Sequence, residues 1–422
     1  PRRYTGIGEQ ETVLEENPQA GLLVTSRWGS LSDDFVSLRS TDKSKPVMEV
    51  PAGSRPELFY PEIVTYAGSN AALSSDGETL AVFSGKQSVA VWDVKKKQKR
   101  FTRKTNGSLT AIGTSDTGKY VAVALEHSQE PPRLNESSVL LYDTQTGNQI
   151  GRYQSKQYLT VSVDITPDGK TLVAASPSQI TVWHTGSGRE LGRISFPLAT
   201  IRHVRISKDG RLLWATPTRG SSILYDLKTK TPVAEFFPLD DGTDWLVVTP
   251  EGLFDGSLKG RNEMAYRLGD GLTVEPVDRF FDDFYVPGLL QRIQAGQRPT
   301  PQQQIAVPPK VRIVSSFPSS YVESSSQKIV VEAEDEGGGA DRITLFINGR
   351  HLETDDELVR LDNKTIRRSF HILLSHGENE IVAKAKGRTG SGTGQSEAIT
   401  LIYQQPPKKV TLHVAAIGVG DY

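Results

Sequence analysis

"SDGETLAVFSGKQSVAVWDVKKKQ", residues 75–98, decides how this chain folds. Asp76-Gly77 marks a tight turn, because glycine accepts positive φ and the aspartate side chain caps the turn. An apolar run from Thr79 to Phe83 follows, then a short polar loop, then a second run from Val89 to Trp92 and a charged turn. The unit returns as "TPDGKTLVAASPSQITVWHTGSGREL" (166–191) and as "SKDGRLLWATPTRGSSILYDLKTKTPV" (207–233). A looser copy spans 115–150 and carries the insertion "HSQEPPRLNE". The pairs Trp92-Asp93, Tyr142-Asp143, Trp183-His184 and Tyr225-Asp226 are spaced 50, 41 and 42 residues, and removing the insertion brings the first gap into line. No segment up to about residue 275 has a strong 3.6-residue apolar period, so the region reads as all-β.

A period near forty residues with short strands is the mark of a repeat architecture. These residues resemble WD repeats, through the Ser-x-Asp-Gly turn and the Trp-Asp or Tyr-Asp strand end. The resemblance implies a β-propeller of four-stranded blades; the length fits six or seven, with seven preferred. The Gly-His dipeptide usual in that family is absent, and so is the usual aspartate before the Trp-Asp strand, where "GKQ" and "SPS" stand instead. "FVSLRSTDKSKPVMEV" (35–50) parallels "SILYDLKTKTPVAEF" (222–236), which places a further blade ahead of the clear ones. "DWLVVTPEGLFDGS" (244–257) is expected to begin another.

Bulk composition narrows the function classes. The chain has 422 residues, 36% hydrophobic and 23% charged, with net charge −1, which gives it no electrostatic reason to seek nucleic acid or an anionic membrane. There is no cysteine, which excludes disulfides, thiolate metal sites and cysteine nucleophiles within these residues. "PVDRFFDDFYVPGLLQRIQAGQ" (276–297) is the one convincing helical stretch, broken by Pro287, and "RPTPQQQIAVPP" (298–309) is an extended linker. From residue 310 strands resume at the spacing of an immunoglobulin-like sandwich, one turn being Asn348-Gly349. The expected organisation is a propeller over 1–275, a helical connector and Pro-rich linker over 276–309, a sandwich over 310–404, and a linker with a buried-type strand over 405–422.

The order of these modules carries a second resemblance. A degenerate WD-repeat propeller, the segment from Trp245 to Ser257, an Ig-like domain and then "VTLHVAAIGVGDY" together resemble bacterial multidomain caspase-like cysteine peptidases of the metacaspase or orthocaspase type. In that family the catalytic domain opens with a strand matched here by Val414, Ala416, Ile417, Gly418 and Tyr422. The resemblance implies that 410–419 is the first strand of a parallel α/β sheet whose remainder, with the catalytic His and Cys, is not in this sequence. It also implies a sensor or regulatory role, in which a protein partner on the propeller controls a caspase-like domain present in cis or as a processed separate chain. A stand-alone binding scaffold or surface protein is the alternative. The cytoplasm is the favoured compartment.

No residue takes a catalytic, cofactor or metal role on this reading. His371 and His376 stand five apart in a strand and project to opposite faces. The basic run 94–100 reads as a solvated hairpin turn. Asp240-Asp241, Asp282-Asp283 and Asp355-Asp356 are adjacent carboxylates, which do not converge on one bond as acid and base must. "EGGGAD" (336–341) reads as a sandwich turn. The polar residues expected on the innermost strands, Asp164, His203 and Arg205, do not repeat a charge from copy to copy. The insertion is the best partner-contact candidate, since repeat proteins display insertions at their rims; its candidate residues are Glu126, His127, Glu130, Arg133 and Glu136.

Overall fold

The fold is that of a computed structural model, which describes residues 11–17, 20–27, 35–40, 46–52, 70–127, 136–155, 157, 159–196, 200–239, 242–268, 274–352, 358–388 and 390–404. It is all-β, built of antiparallel sheets with a few short helices. Two compact units emerge: Pro1–Pro250 with Gly288–Arg298, and Glu251–Pro287 with Pro299–Tyr422. The expected strand over 410–419 lies outside the described residues.

The first unit is a succession of four-stranded meanders. Sheet I holds β1 (Glu11–Asn17), β2 (Leu22–Arg27), β3 (Phe35–Ser40) and β4 (Pro46–Pro51). Sheet II holds β5 (Ala71–Leu73), β6 (Thr79–Gly85), β7 (Ser88–Asp93) and β8 (Gln98–Lys104). Sheet III holds β9 (Ser108–Thr114), β10 (Tyr120–His127), β11 (Glu136–Asp143) and β12 (Gln149–Ser155). Sheet IV holds β13 (Ser162–Ile165), β14 (Thr171–Ala175), β15 (Gln179–His184) and β16 (Glu190–Ser195). Sheet V runs through β17 (Ile201–Ile206), β18 (Leu212–Pro217), β19 (Ser222–Asp226) and β20 (Pro232–Leu239). The segment expected to begin a further unit instead adds β21 (Asp244–Val248) to sheet V, paired antiparallel with β20. The reason is aromatic: Phe236 on β20 stacks on Trp245 with ring centroids 6.5 Å apart and meets Trp214 edge to face at 6.2 Å.

Two corners recur in this unit. At the first, Ser74, Thr166 and Ser207 accept the amides of Thr79, Thr171 and Leu212, each at 2.9 Å. The same hydroxyls donate to Asp76, Asp168 and Asp209. Glycines 77, 169 and 210 sit at φ of 74°, 71° and 70°, a conformation where a Cβ is costly. Ser115 takes the amide of Tyr120 at 3.0 Å in the same way, while Asp116 accepts the Ser75 hydroxyl of sheet II at 2.6 Å. At the second corner Asp93, Asp143 and Asp226 accept the amide three residues on, at 2.9, 2.8 and 2.9 Å. His184 breaks the Trp-Asp pattern but not the corner, because its Nδ1 accepts the Ser187 amide at 3.2 Å. The fourth residue after each of these is left-handed: Gly147 and Gly188 at φ 68°, Lys97 at 54° and Lys230 at 62°. In every sheet the pairing with the outer strand slips at the marker position, at Leu38/Arg39, Val91/Trp92, Leu141/Tyr142, Val182/Trp183 and Leu224/Tyr225. Such bulges increase twist locally.

Successive sheets pack face to face. One cluster joins Val24, Val36, Leu38 and Val50 of sheet I to Leu80 and Val82 of sheet II. Others join sheets II and III, III and IV, and IV and V. A strand buried on both faces reads as a continuous apolar run, as β6 and β10 do. The helix Leu289–Gln294 belongs to this unit: Arg211 Nη2 donates to the Gln294 carbonyl at 2.8 Å, and Arg298 pairs with Asp226 at 3.4 Å.

The second unit is a two-sheet sandwich with an aromatic appendage. One sheet is ordered Lys310–Ile313, Ser326–Glu334, Thr365–Leu373, Leu358–Arg360; the other centres on Gly377–Lys386 between Ile399–Tyr403 and Arg342–Ile347. Ile329, Val331, Ile343, Leu345, Phe370, Ile381 and Leu401 share the core between them. The Asn348-Gly349 turn has φ of 51° and 75°, as a tight hairpin requires. In "EGGGAD" the amides of Gly337 and Gly339 both donate to Asp335, at 2.7 Å each. The connector is not one helix but three pieces, Val277–Phe280, Phe281–Phe284 and Leu289–Gln294, parted at Pro287 and Gly288, whose φ is 70°. Residues 251–287 cluster with the sandwich rather than with the repeats. Phe254, Tyr266, Phe280 and Phe284 form their own buried aromatic group, and Lys386 holds Asp283 at 2.9 Å. Burial pushes the Tyr266 phenol well above its ordinary range.

The corner aspartates predict how the first unit responds to acid. The Lys96 amide holds Asp93 below the ordinary aspartate value, and the Thr146 amide does the same for Asp143. At Asp168, Asp209 and Asp226 burial pushes upward, but hydrogen bonds outweigh it and the net direction is again down. Each group therefore releases its proton more readily folded than unfolded. Their stabilisation is complete above about pH 4 and is lost as pH falls below it. All five tryptophans lie within Pro1–Pro250, so tryptophan fluorescence follows this unit. Its melting temperature is expected to hold from pH 7 to 5 and fall below about pH 4, with a shallower fall in Asp143→Asn. By the same readout at pH 7, Lys230→Gly is expected to raise stability by about 0.5–1 kcal/mol, since a left-handed lysine is strained.

Candidate functional site

The insertion leaves sheet III at the β10–β11 hairpin. Glu126 pairs with Ser137 and His127 with Glu136 across the ladder, so both strands run to the base of the loop. Glu130 and Arg133 lie outside the described residues, as does the side chain of Glu136. The structure thus brings Glu126 and His127 together at the loop's root, both half-buried.

His127 is held there from two sides. Its Nε2 stands 2.8 Å from Ser138 Oγ and 3.1 Å from Nη2 of Arg152. An arginine nitrogen only donates, so Nε2 is the acceptor and the ring proton sits on Nδ1. Below it the chain passes at Gly107, where an added Cβ would meet the Glu126 carbonyl oxygen at 2.6 Å and His127 Nδ1 at 3.2 Å. Sequence reasoning missed Ser138, Arg152 and Gly107. Nothing local in the sequence ties Arg152 to a histidine 25 residues earlier.

The polar residues of the first strands have a different task. β5, β9, β13 and β17 lie side by side in that order, each the first strand of its sheet. Asp164 on β13 is buried, and its Oδ2 accepts the Ile206 amide of β17 at 2.7 Å while Ser162 Oγ accepts the Val204 amide at 3.2 Å. Both bonds reach 42 residues along the chain, one repeat. Arg205 Nε lies 4.0 Å from Asp164, with its side chain half exposed. Asp164 thus serves as a rivet between neighbouring sheets, and His203 is exposed on β17.

The remaining candidates stay apart. His371 and His376 are both exposed, one on the strand Thr365–Leu373 and one in the turn after it. In the basic run Arg100 pairs with Asp93 at 3.1 Å. Asp283 is engaged by Lys386, and the Asp240-Asp241 and Asp355-Asp356 pairs lie outside the described residues. Among the described residues no group of three or more His, Cys, Asp or Glu is placed to hold a metal ion. Among them, too, no helix is long and apolar enough to cross a membrane.

No family model matches this chain, and no curated protein matches it. Among solved structures it is similar to Kuenenia stuttgartiensis hydrazine synthase, at 17% identity and a TM-score of 0.39, over 55% of this chain and 74% of that one. A likeness this distant says nothing about activity.

Asp164→Ala is expected to cost about 1–3 kcal/mol, because it leaves the buried Ile206 amide without its acceptor. Gly107→Ala should cost a similar amount by forcing the hairpin root outward. Both are read from tryptophan-detected thermal unfolding, and an unchanged melting temperature in either variant would contradict the geometry described.

Proposed function

We propose that this chain is the sensor and protein-interaction region of a caspase-like cysteine endopeptidase. On this reading the repeat sheets belong to a WD-repeat-like β-propeller that carries the partner site on its β10–β11 insertion, and the sandwich is Ig-like. The observation that carries the interaction role is the stitching of first strand to first strand one repeat apart, Ser162 to Val204 and Asp164 to Ile206. A scaffold stapled in this way keeps its strands fixed while a loop at one hairpin varies, which is how repeat proteins present binding surfaces. The peptidase part rests on the order of the modules and on the residues Val414, Ala416, Ile417, Gly418 and Tyr422.

The mechanism that follows is a coupling between two sites. A protein partner engages the insertion, held from below by His127, Ser138 and Arg152. Binding changes the access or activation of the caspase-like domain, and cleavage proceeds from a Cys-His pair outside these residues. A general-base histidine would activate the thiol there, as in other cysteine peptidases.

The test uses the protein as purified from its natural host, assayed on a panel of fluorogenic peptides with and without iodoacetamide. The 422 residues contain no cysteine, so alkylation cannot act through them. Cleavage that co-purifies with the chain and is abolished by alkylation is the expected result. Deleting 128–135 should then alter that activity while leaving the tryptophan-detected melting temperature unchanged. Absence of alkylation-sensitive cleavage would leave the chain as a binding scaffold without a peptidase.

A further inference from the structure

The second unit carries an open cleft of about 570 Å³ within itself. One wall is the outer face of the paired strands Arg342–Ile347 and Gly377–Lys386, and the other is formed by Leu258–Asn262 together with Asp278, Phe281 and Asp282. On the sheet wall Arg342 stands directly opposite Lys386, and Thr344 opposite Lys384. Three cations thus share one face of two adjacent strands, an arrangement that disfavours the sheet unless anions answer it. Lys386 is answered by Asp283 at 2.9 Å. Among the described residues Arg342 and Lys384 form no ion pair. The floor is aromatic: Lys384 Nζ lies 5.2 Å from the Phe346 ring centroid, and the Arg261 guanidinium 5.4 Å from that of Phe281 and 4.9 Å from that of Tyr285. At the rim Leu258 is 72% exposed.

The opposite wall decides which anion fits. Asp278 and Asp282, both exposed, face the cleft from one side of a helical segment. A phosphate group carries its charge in one compact cluster, and the carboxylates would repel what the sheet attracts. A peptide separates its charges and donors. Its acidic side chain can reach Arg342 and Lys384, its backbone N–H groups can face Asp278 and Asp282, and an apolar neighbour can rest on Phe281 and Phe346. A volume of this size suits a few residues of extended chain.

We propose that this cleft binds an extended peptide in which an acidic side chain adjoins an apolar one. This proposal rests on neither the partner role of the insertion nor the peptidase reading, and the failure of either would leave it untouched.

The test is fluorescence anisotropy of a fluorescein-labelled Leu-Glu-Phe-Glu-Leu peptide titrated with the full chain. Saturable binding is expected, weakened about tenfold or more when the peptide's glutamates become glutamine, as loss of a charge-assisted contact implies. Arg342→Glu and Lys384→Glu should weaken it at least as much, Arg342→Lys should retain most of it, and Lys328→Glu, exposed on the other sheet, should leave it unchanged. Absence of saturable binding overturns the proposal, as does binding indifferent to the glutamates or to the Arg342 and Lys384 variants. Binding of inorganic phosphate or adenosine monophosphate in preference to the peptide overturns it in favour of a phosphate site.

Discussion

A single hydroxyl at the first corner of four of the five repeat sheets underlies the architecture. Ser74, Ser115, Thr166 and Ser207 each take the amide five residues on, at 2.9 to 3.0 Å, which closes the turn and sets the register of first strand against second. Register matters more than strength here, because a slip of one residue would exchange every inward side chain for an outward one. With the second strand set, the third ends at the marker residue and the second corner follows. Faces that alternate correctly can then be stacked on the faces of the next sheet. Remove the hydroxyl and the local turn survives, but the pairing that feeds the inter-sheet clusters loses its reference point.

What was legible in the sequence followed from range. The two corners are four or five residues long, and their chemistry was readable from Asp-Gly and Trp-Asp alone. The sheet before the clear copies was legible too, since Phe35–Ser40 repeats the spacing of Ser222–Asp226 even without its aromatic residue. The surrogate at His184 was not, because a ring nitrogen imitates a carboxylate only once the backbone has placed the Ser187 amide before it. The placement of Asp244–Val248 was hidden for a similar reason. Its pairing partner is chosen by Phe236 stacking on Trp245, a contact between two strands rather than a pattern within one.

The site shows the same division. Glu126 and His127 were found through the insertion they flank, an irregularity in an otherwise even period. Arg152 and Ser138, which give His127 its tautomer and its position, come from neighbouring strands and left no local trace. Asp164 was noticed for its charge and considered as a ligand group, yet its lone pairs are directed at backbone amides. A buried carboxylate that accepts two amides is already satisfied, and such groups are commoner in cores than catalytic ones. The cations on the sheet wall of the cleft come from positions 342, 384 and 386, and only the sheet register makes them neighbours.

The chain path between the two units has a consequence for inheritance. The repeat unit includes Gly288–Arg298, so the polypeptide leaves it after Pro250, returns for one helix and leaves again. Arg211 and Arg298 fasten that helix to the last sheet's own residues. Neither unit is therefore a cassette that one recombination event could lift out whole. An exchange at a single junction would strand either the helix or the aromatic segment beside a foreign neighbour. The two units are expected to have travelled together through duplication and shuffling, with the repeats free to drift in sequence but not to change company.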